Sequence, residues 1–284
     1  MCILSGATLA GVAMIAPFVS QGAAHCARRV ITERVVDVPT RPAHHVRALV
    51  ISPEGAMGSV ILLAGGHGNL DLDSDGRIGW GRNNQLVRTR HAYAARGLVA
   101  IVADVADDFK AGSGANYAYR WSAAHAQDLT ALVAFAAQIA KPVYLIGTSR
   151  AALSVANLAS RPDLQPQPDA IVITSGMLMD VDGVRPSVQR NVPHLDEMHA
   201  PMLVLYHKND RCRYTPASSA EAFRSLASGV RRFDTKLLSG GTSASSGACK
   251  GLSAHGFRGL DRKVVDTIVT WLGSVAEEMP RPSR

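Results

Sequence analysis

The sequence predicts an α/β architecture: a doubly wound, mostly parallel sheet with helices on both faces. Two observations predict it. Short continuous apolar runs, such as residues 60–64, recur along the chain, and such runs suit strands buried on both faces of a parallel sheet. Stretches of helical spacing separate them, and strand alternating with helix is the pattern of a wound α/β sheet. With 284 residues, 47% hydrophobic and 19% charged, the chain is long enough to bury a full core. That composition excludes a collagen-like, coiled-coil or largely disordered protein.

Residues 3–19 are almost all apolar or small, Gly22-Ala23-Ala24 follows, and charge begins at Arg28-Arg29. Residues 1–24 are therefore expected to be a secretory signal peptide, although no Lys or Arg precedes the apolar run. The run is short for a span of about 20 residues and Pro17 interrupts it. No stable membrane insertion is expected after cleavage. Residues 25–284 read as one exported domain, periplasmic or secreted, without an internal repeat, linker or low-complexity tract.

Strands are expected at residues 31–38, 46–52, 60–64, 98–103, 143–146, 170–174, 202–206 and 233–238. Turn chemistry ends the second at Pro53-Glu54-Gly55 and the third at Gly65-Gly66. Helices are expected at 84–96, 119–139, 150–159, 217–227 and 258–278. The last is amphipathic, with Val264, Val265, Ile268, Val269 and Leu272 on one side. Connections 69–83 and 176–200 are too long for plain turns. Long loops in a compact domain are often lids or binding loops.

The strand ending at Ile146 runs into Gly147-Thr148-Ser149-Arg150-Ala151 and then a helix. A serine at such a strand–turn–helix apex exposes its hydroxyl above the sheet, at the positive end of the next helix. Ala151 stands where the G-x-S-x-G pattern has its second glycine. Taken alone, Ser149 could equally be a helix N-cap. A nucleophilic serine needs a base, and the base needs an orienting carboxylate. Asp210 follows the apolar run 202–206, at the carboxyl end of a strand, where sites of open α/β sheets form. His255 precedes the final helix and is the last histidine of the chain. An oxyanion hole needs one backbone N–H after the nucleophile and one from a loop after an early strand. Arg150 is the candidate for the first, and Gly66 or His67, in Gly65-Gly66-His67-Gly68, for the second.

Together these residues resemble the α/β-hydrolase superfamily over residues 60–271, and within it exported enzymes of the dienelactone-hydrolase-like or esterase type. The resemblance implies the α/β-hydrolase fold and a triad of Ser149, His255 and Asp210. A dienelactone hydrolase proper would carry Cys as nucleophile; Ser149 points toward ester hydrolysis. The expectation is a serine hydrolase of small-molecule carboxylic esters, with no metal or organic cofactor. A peptidase, amidase or thioesterase on the same triad is the alternative within enzymes. A catalytically silent binding protein on the same scaffold is the alternative outside them.

Four cysteines are present, and Cys2 leaves with the expected signal. In an oxidising compartment Cys212 and Cys249 become a candidate pair, the alternative being two buried thiols. A bridge would tie the loop of Asp210 to the loop of His255. The net charge of +7 comes from 24 Arg and 6 Lys against 23 acids. No basic run is interleaved with aromatics, so nucleic-acid binding has little support. Asp71, Asp73 and Asp75 resemble a calcium loop, but Arg82 stands where its bidentate Glu belongs. His44, His45, Asp104, Asp107 and Asp108 show no metal-ligand spacing, and Asp104 reads as a loop cap. Trp80, Tyr117, Tyr119 and Trp121 are candidates for a pocket wall or for core packing, and Arg88, Arg90 and Arg150 for gripping an anion or for solvated surface.

Overall fold

The hairpin that starts the sheet joins β1 (Ile31–Arg41) to β2 (His44–Pro53) through a tight turn in which Ala43 is left-handed (φ 61°). The computed structural model describes residues 30–110, 117–181 and 186–279. The expected signal peptide, with Cys2, and Cys26 beyond it, lie outside these residues. After the hairpin come β3 (Ser59–Leu63), β4 (Val99–Ala106), β5 (Val143–Thr148), β6 (Ala170–Thr174), β7 (Met202–His207) and β8 (Phe233–Leu238). The sheet order is β1-β2-β4-β3-β5-β6-β7-β8. β1 and β2 pair antiparallel, as do β2 and β4, and every later pairing is parallel.

The apolar runs are strands because the sheet is covered on both faces. Leu62, Val102, Ile146 and Val172 point to one core, while Ile61, Ile101, Leu145 and Ile171 point to the other. The helices α1 (Gln85–Arg88), α2 (Arg90–Ala94) and α8 (Asp261–Glu278) cover the first face, with Leu86, Tyr93, Val264, Ile268 and Leu272 buried there. The helices α4 (Ala123–Ile139), α5 (Ala152–Ala159) and α7 (Ser219–Leu226) cover the second, through Leu129, Leu132, Val155 and Phe223.

Two helices expected as continuous are each divided, and both times a hydroxyl is the cause. Thr89 separates α1 from α2: its Oγ1 donates back to the Gln85 carbonyl (2.8 Å), which also accepts the Thr89 N–H (3.2 Å). Ser122 separates the short α3 (Tyr117–Arg120) from α4 and caps α4 by accepting from the His125 N–H.

The connection 69–83 is a built structure. Asp104, fully buried within β4, accepts from the N–H groups of Leu70 (2.7 Å) and Leu72 (3.1 Å). That draws Leu70, Leu72 and Ile78 into the core. Asp73 closes the turn between them by accepting from the Asp75 and Arg77 N–H groups. In the connection 176–200 the described residues carry α6 (Val188–Asn191), and Leu178, Val188 and Met198 pack on the α4 and α5 face. Its described residues pack as core, and none of them lines the cavity described next.

Candidate active site

At the carboxyl end of β5 the chain turns sharply into α5. Ser149 occupies the apex with φ +56°, a left-handed conformation that costs any residue with a Cβ. Neighbouring small residues make room for the turn. A Cβ on Gly147 would lie 2.6 Å from the Val155 side chain and 2.7 Å from the Ala151 carbonyl. Ala151 itself is right-handed (φ −69°) and fully buried, so this position needs a small residue and not a glycine. The Met177 N–H holds the turn by donating to the Ser149 carbonyl (3.3 Å).

Asp210 and His255 meet although 45 residues separate them. His255 Nδ1 lies 2.9 Å from Asp210 Oδ2, and both side chains are buried. The carboxylate is fixed at both oxygens. Oδ1 accepts from the Cys212 N–H (2.8 Å), while Oδ2 also accepts from the Thr215 hydroxyl (3.2 Å). An ionised carboxylate only accepts, so Nδ1 carries the proton and Nε2 is left as the basic nitrogen. His207, at the end of β7, shapes the same turn. Its Nδ1 accepts from the Asn209 N–H (3.0 Å), so its Nε2–H donates to the Gly240 carbonyl (3.1 Å).

Ser149 and His255 line one cavity of about 480 Å³. Gly65 and Gly66 form part of its wall, whereas His67 and Arg150 lie outside its lining. A Cβ on Gly65 would sit 2.8 Å from the Thr148 carbonyl and 3.0 Å from the Ser149 Cβ, so the glycine loop presses against the Ser149 turn. Gly66 is left-handed (φ +62°) beneath the Trp80 ring, which also lies against the His67 ring, tilted by 37° with centroids 3.7 Å apart. Burial, and then the charges of Arg150 and Arg120, hold the His67 imidazole below its ordinary pKa.

Of the four aromatics weighed in the sequence, Trp80 lines the cavity, while Tyr119 and Trp121 pack into the core and the Tyr117 side chain lies outside the description. Arg88 neither faces the cavity nor spreads into solvent. Its five N–H donors are spent on Asp261, the Asn83 carbonyl, and the Gly251 and Gly256 carbonyls either side of His255. The guanidinium so clamps the cavity wall and the histidine loop to α8. No local spacing marks Thr215, His207 or Arg120, and for Arg88 the sequence suggests only an anion grip or solvated surface.

Cys212 and Cys249 are joined in a disulfide, with Cα atoms 4.6 Å apart. The bridge links the Asp210 loop to the loop before His255, and Cys249 lines the cavity. It closes a loop 37 residues long, for which chain entropy gives roughly 3–4 kcal/mol. The Cys212→Ala/Cys249→Ala double variant is expected to lose stability on that scale, read from urea unfolding curves of oxidised protein. An unchanged urea midpoint would show that the bridge adds nothing to the fold.

Away from the cavity, folding gathers residues whose spacing gave no metal signal. Ligand atoms of His44, Asp107 and Asp108 lie within 4.8 Å of one another. Arg41 holds Asp108 through two hydrogen bonds (2.7 and 3.0 Å) and Asp128 through a third, so the group is organised as an ion-pair network around a guanidinium.

The wound sheet, the serine at the β5–α5 turn and the histidine loop before α8 define an α/β-hydrolase fold. No family model matches the chain, and no curated protein matches it. Solved structures do. Esterase 2 of Thermogutta terrifontis, phosphorylated by paraoxon, is similar with a TM-score of 0.58 at 16% identity, covering 88% of this chain and 96% of that one. Est1E of Butyrivibrio proteoclasticus, with ferulic acid bound, has a TM-score of 0.58 at 13% identity, covering 85% and 99%. A dienelactone hydrolase of Anabaena variabilis has a TM-score of 0.56 at 13% identity, covering 86% and 98%. These likenesses span most of the chain and show the fold that it shares with them.

Proposed function

We propose that this protein is an exported serine hydrolase of carboxylic esters. The observation that carries the reading is the His255–Asp210 pair opening onto the same cavity as a serine held at φ +56°. In this reading Ser149 Oγ attacks the ester carbonyl as His255 Nε2 takes its proton. Asp210 keeps the imidazole in that tautomer and stabilises its charged form. The N–H of Arg150 and an N–H of the Gly66–His67 turn receive the oxyanion. His255 then returns the proton to the leaving alcohol, and the acyl group stays on Ser149. Water, deprotonated by the same imidazole, releases the acid. The cavity, walled by glycines together with side chains such as Trp80, Asn83 and Leu252, suits a small-molecule ester, and its volume falls in the usual range for ligand sites.

Export is supported by the disulfide beside the site, since such bonds persist in oxidising compartments. Among the described residues no helix is long and apolar enough to cross a membrane.

A fluorophosphonate probe tests the nucleophile. Covalent labelling is expected, with the adduct mapped to Ser149 by peptide mass spectrometry, alongside turnover of p-nitrophenyl butyrate. A protein that is neither labelled nor active would instead be a binding protein on this scaffold.

A further inference from the structure

We infer that Arg120 is a positioning residue for the candidate oxyanion hole, locking the glycine loop to the nucleophile helix with a positive charge behind it. The inference rests on the serine-hydrolase reading above. Arg120 ends α3 and is almost wholly buried (3% exposed). Its Nη2 donates to the carbonyls of Ala64 (3.0 Å) and Gly66 (3.3 Å), and its Nη1 to Ser154 Oγ (2.9 Å). Ser154 is fully buried on α5, the helix that leaves the nucleophile turn. One guanidinium therefore joins the loop that would receive the oxyanion to the helix that carries Ser149.

The bonding also sets where the donors point. In a trans peptide the C=O and the N–H of the next residue face opposite ways. A Gly66 carbonyl turned toward Arg120 turns the His67 N–H to the other side of the loop, and the Ala64 carbonyl does the same for the Gly65 N–H. Arg120 is not in the cavity lining, whereas Gly65 and Gly66 are. The loop thus stands between the guanidinium and the cavity. Gly68 fits this arrangement: a Cβ there would lie 2.5 Å from Arg120 Nη2, so the loop closes over the guanidinium only with glycine. Burying a guanidinium is costly beside an apolar side chain of similar length. A buried positive charge behind the loop adds field to shape, in keeping with a His67 imidazole held below its ordinary pKa first by burial and then by Arg150 and Arg120.

The test compares wild type, Arg120→Met and Arg120→Lys, each checked for an unchanged thermal transition. Two readouts are used: p-nitrophenyl butyrate turnover, and inhibition by a trifluoromethyl ketone, which forms a hemiketal anion on serine. Arg120→Met is expected to lower kcat by about 100-fold, the scale of losing one oxyanion donor, with KM changed by less than about threefold. The ketone should weaken in proportion to kcat, and Arg120→Lys should recover part of both. A folded Arg120→Met with wild-type kcat and ketone affinity overturns the inference. If Arg120→Met does not fold, Ser154→Ala decides. It removes the anchor on α5 and is expected to cut kcat by about tenfold at constant KM, and an unchanged kcat overturns the inference. Wild-type protein without turnover or fluorophosphonate labelling sinks the hydrolase reading and this inference together. Active wild type with unaffected variants sinks the inference alone.

Discussion

Ser149→Ala is expected to lower kcat for p-nitrophenyl butyrate by about 10⁶-fold while the protein stays folded, the loss that follows removal of a serine nucleophile that works with its base as one unit. Some rate over water should persist, because the glycine loop and the cavity still bind the ester. The strained turn adds a second readout. At φ +56° an alanine meets the same left-handed penalty as serine, about 1–2 kcal/mol, and glycine meets none. Ser149→Gly should therefore be as inactive as Ser149→Ala and more stable than it by about 1 kcal/mol, less the backbone entropy that glycine loses on folding. Urea midpoints of the two variants measure the difference. A Ser149→Ala protein that retains its turnover would place the nucleophile elsewhere.

The parallel sheet is legible in the sequence because its strands are buried on both faces, and that burial writes continuous runs such as Val143–Thr148 and Met202–His207. Helix limits are less legible. Thr89 and Ser122 each stop a helix through a side-chain bond that the periodicity of apolar residues does not record. The candidate site divides in the same way. Ser149, Asp210 and His255 stand at element boundaries in the chain order usual for a serine triad on this fold, so their positions can be read along the chain. The residues that hold them cannot. Arg88 reaches Asp261 across 173 positions, and Arg120 reaches Ala64 across 56. In sequence each is one arginine among 24, and only packing shows that one clamps the histidine loop and the other backs the glycine loop. For the tyrosine and tryptophan beside Arg120, which the sequence leaves open between pocket wall and core, packing decides for the core. Tyr119 is buried with its hydroxyl on Asp128 (2.8 Å), part of the core under α4.

Asp210→Asn is expected to lower kcat by about 10⁴-fold with little change in fold, and the hydrogen bonds around the side chain say why. Oδ1 accepts from the Cys212 N–H at 2.8 Å, so the amide of asparagine places its oxygen there and keeps the turn. Its NH2 group then faces His255 Nδ1 and can only donate. The imidazole must accept at Nδ1, which moves its proton to Nε2, the nitrogen that has to receive the serine proton. The base is present, correctly placed and in the wrong tautomer. Thr215 provides the comparison, because its hydroxyl lies 3.2 Å from both Asp210 Oδ2 and His255 Nδ1. Thr215→Val removes the hydroxyl's contacts with the carboxylate and with Nδ1 but leaves the carboxylate's charge and its own 2.9 Å bond to Nδ1, so it should cost roughly tenfold in kcat or less, the worth of one modest hydrogen bond. The two variants therefore separate tautomer control from simple support of the loop. Equal, small losses for both would show that Asp210 only braces the turn, and the search for the orienting acid would have to begin again.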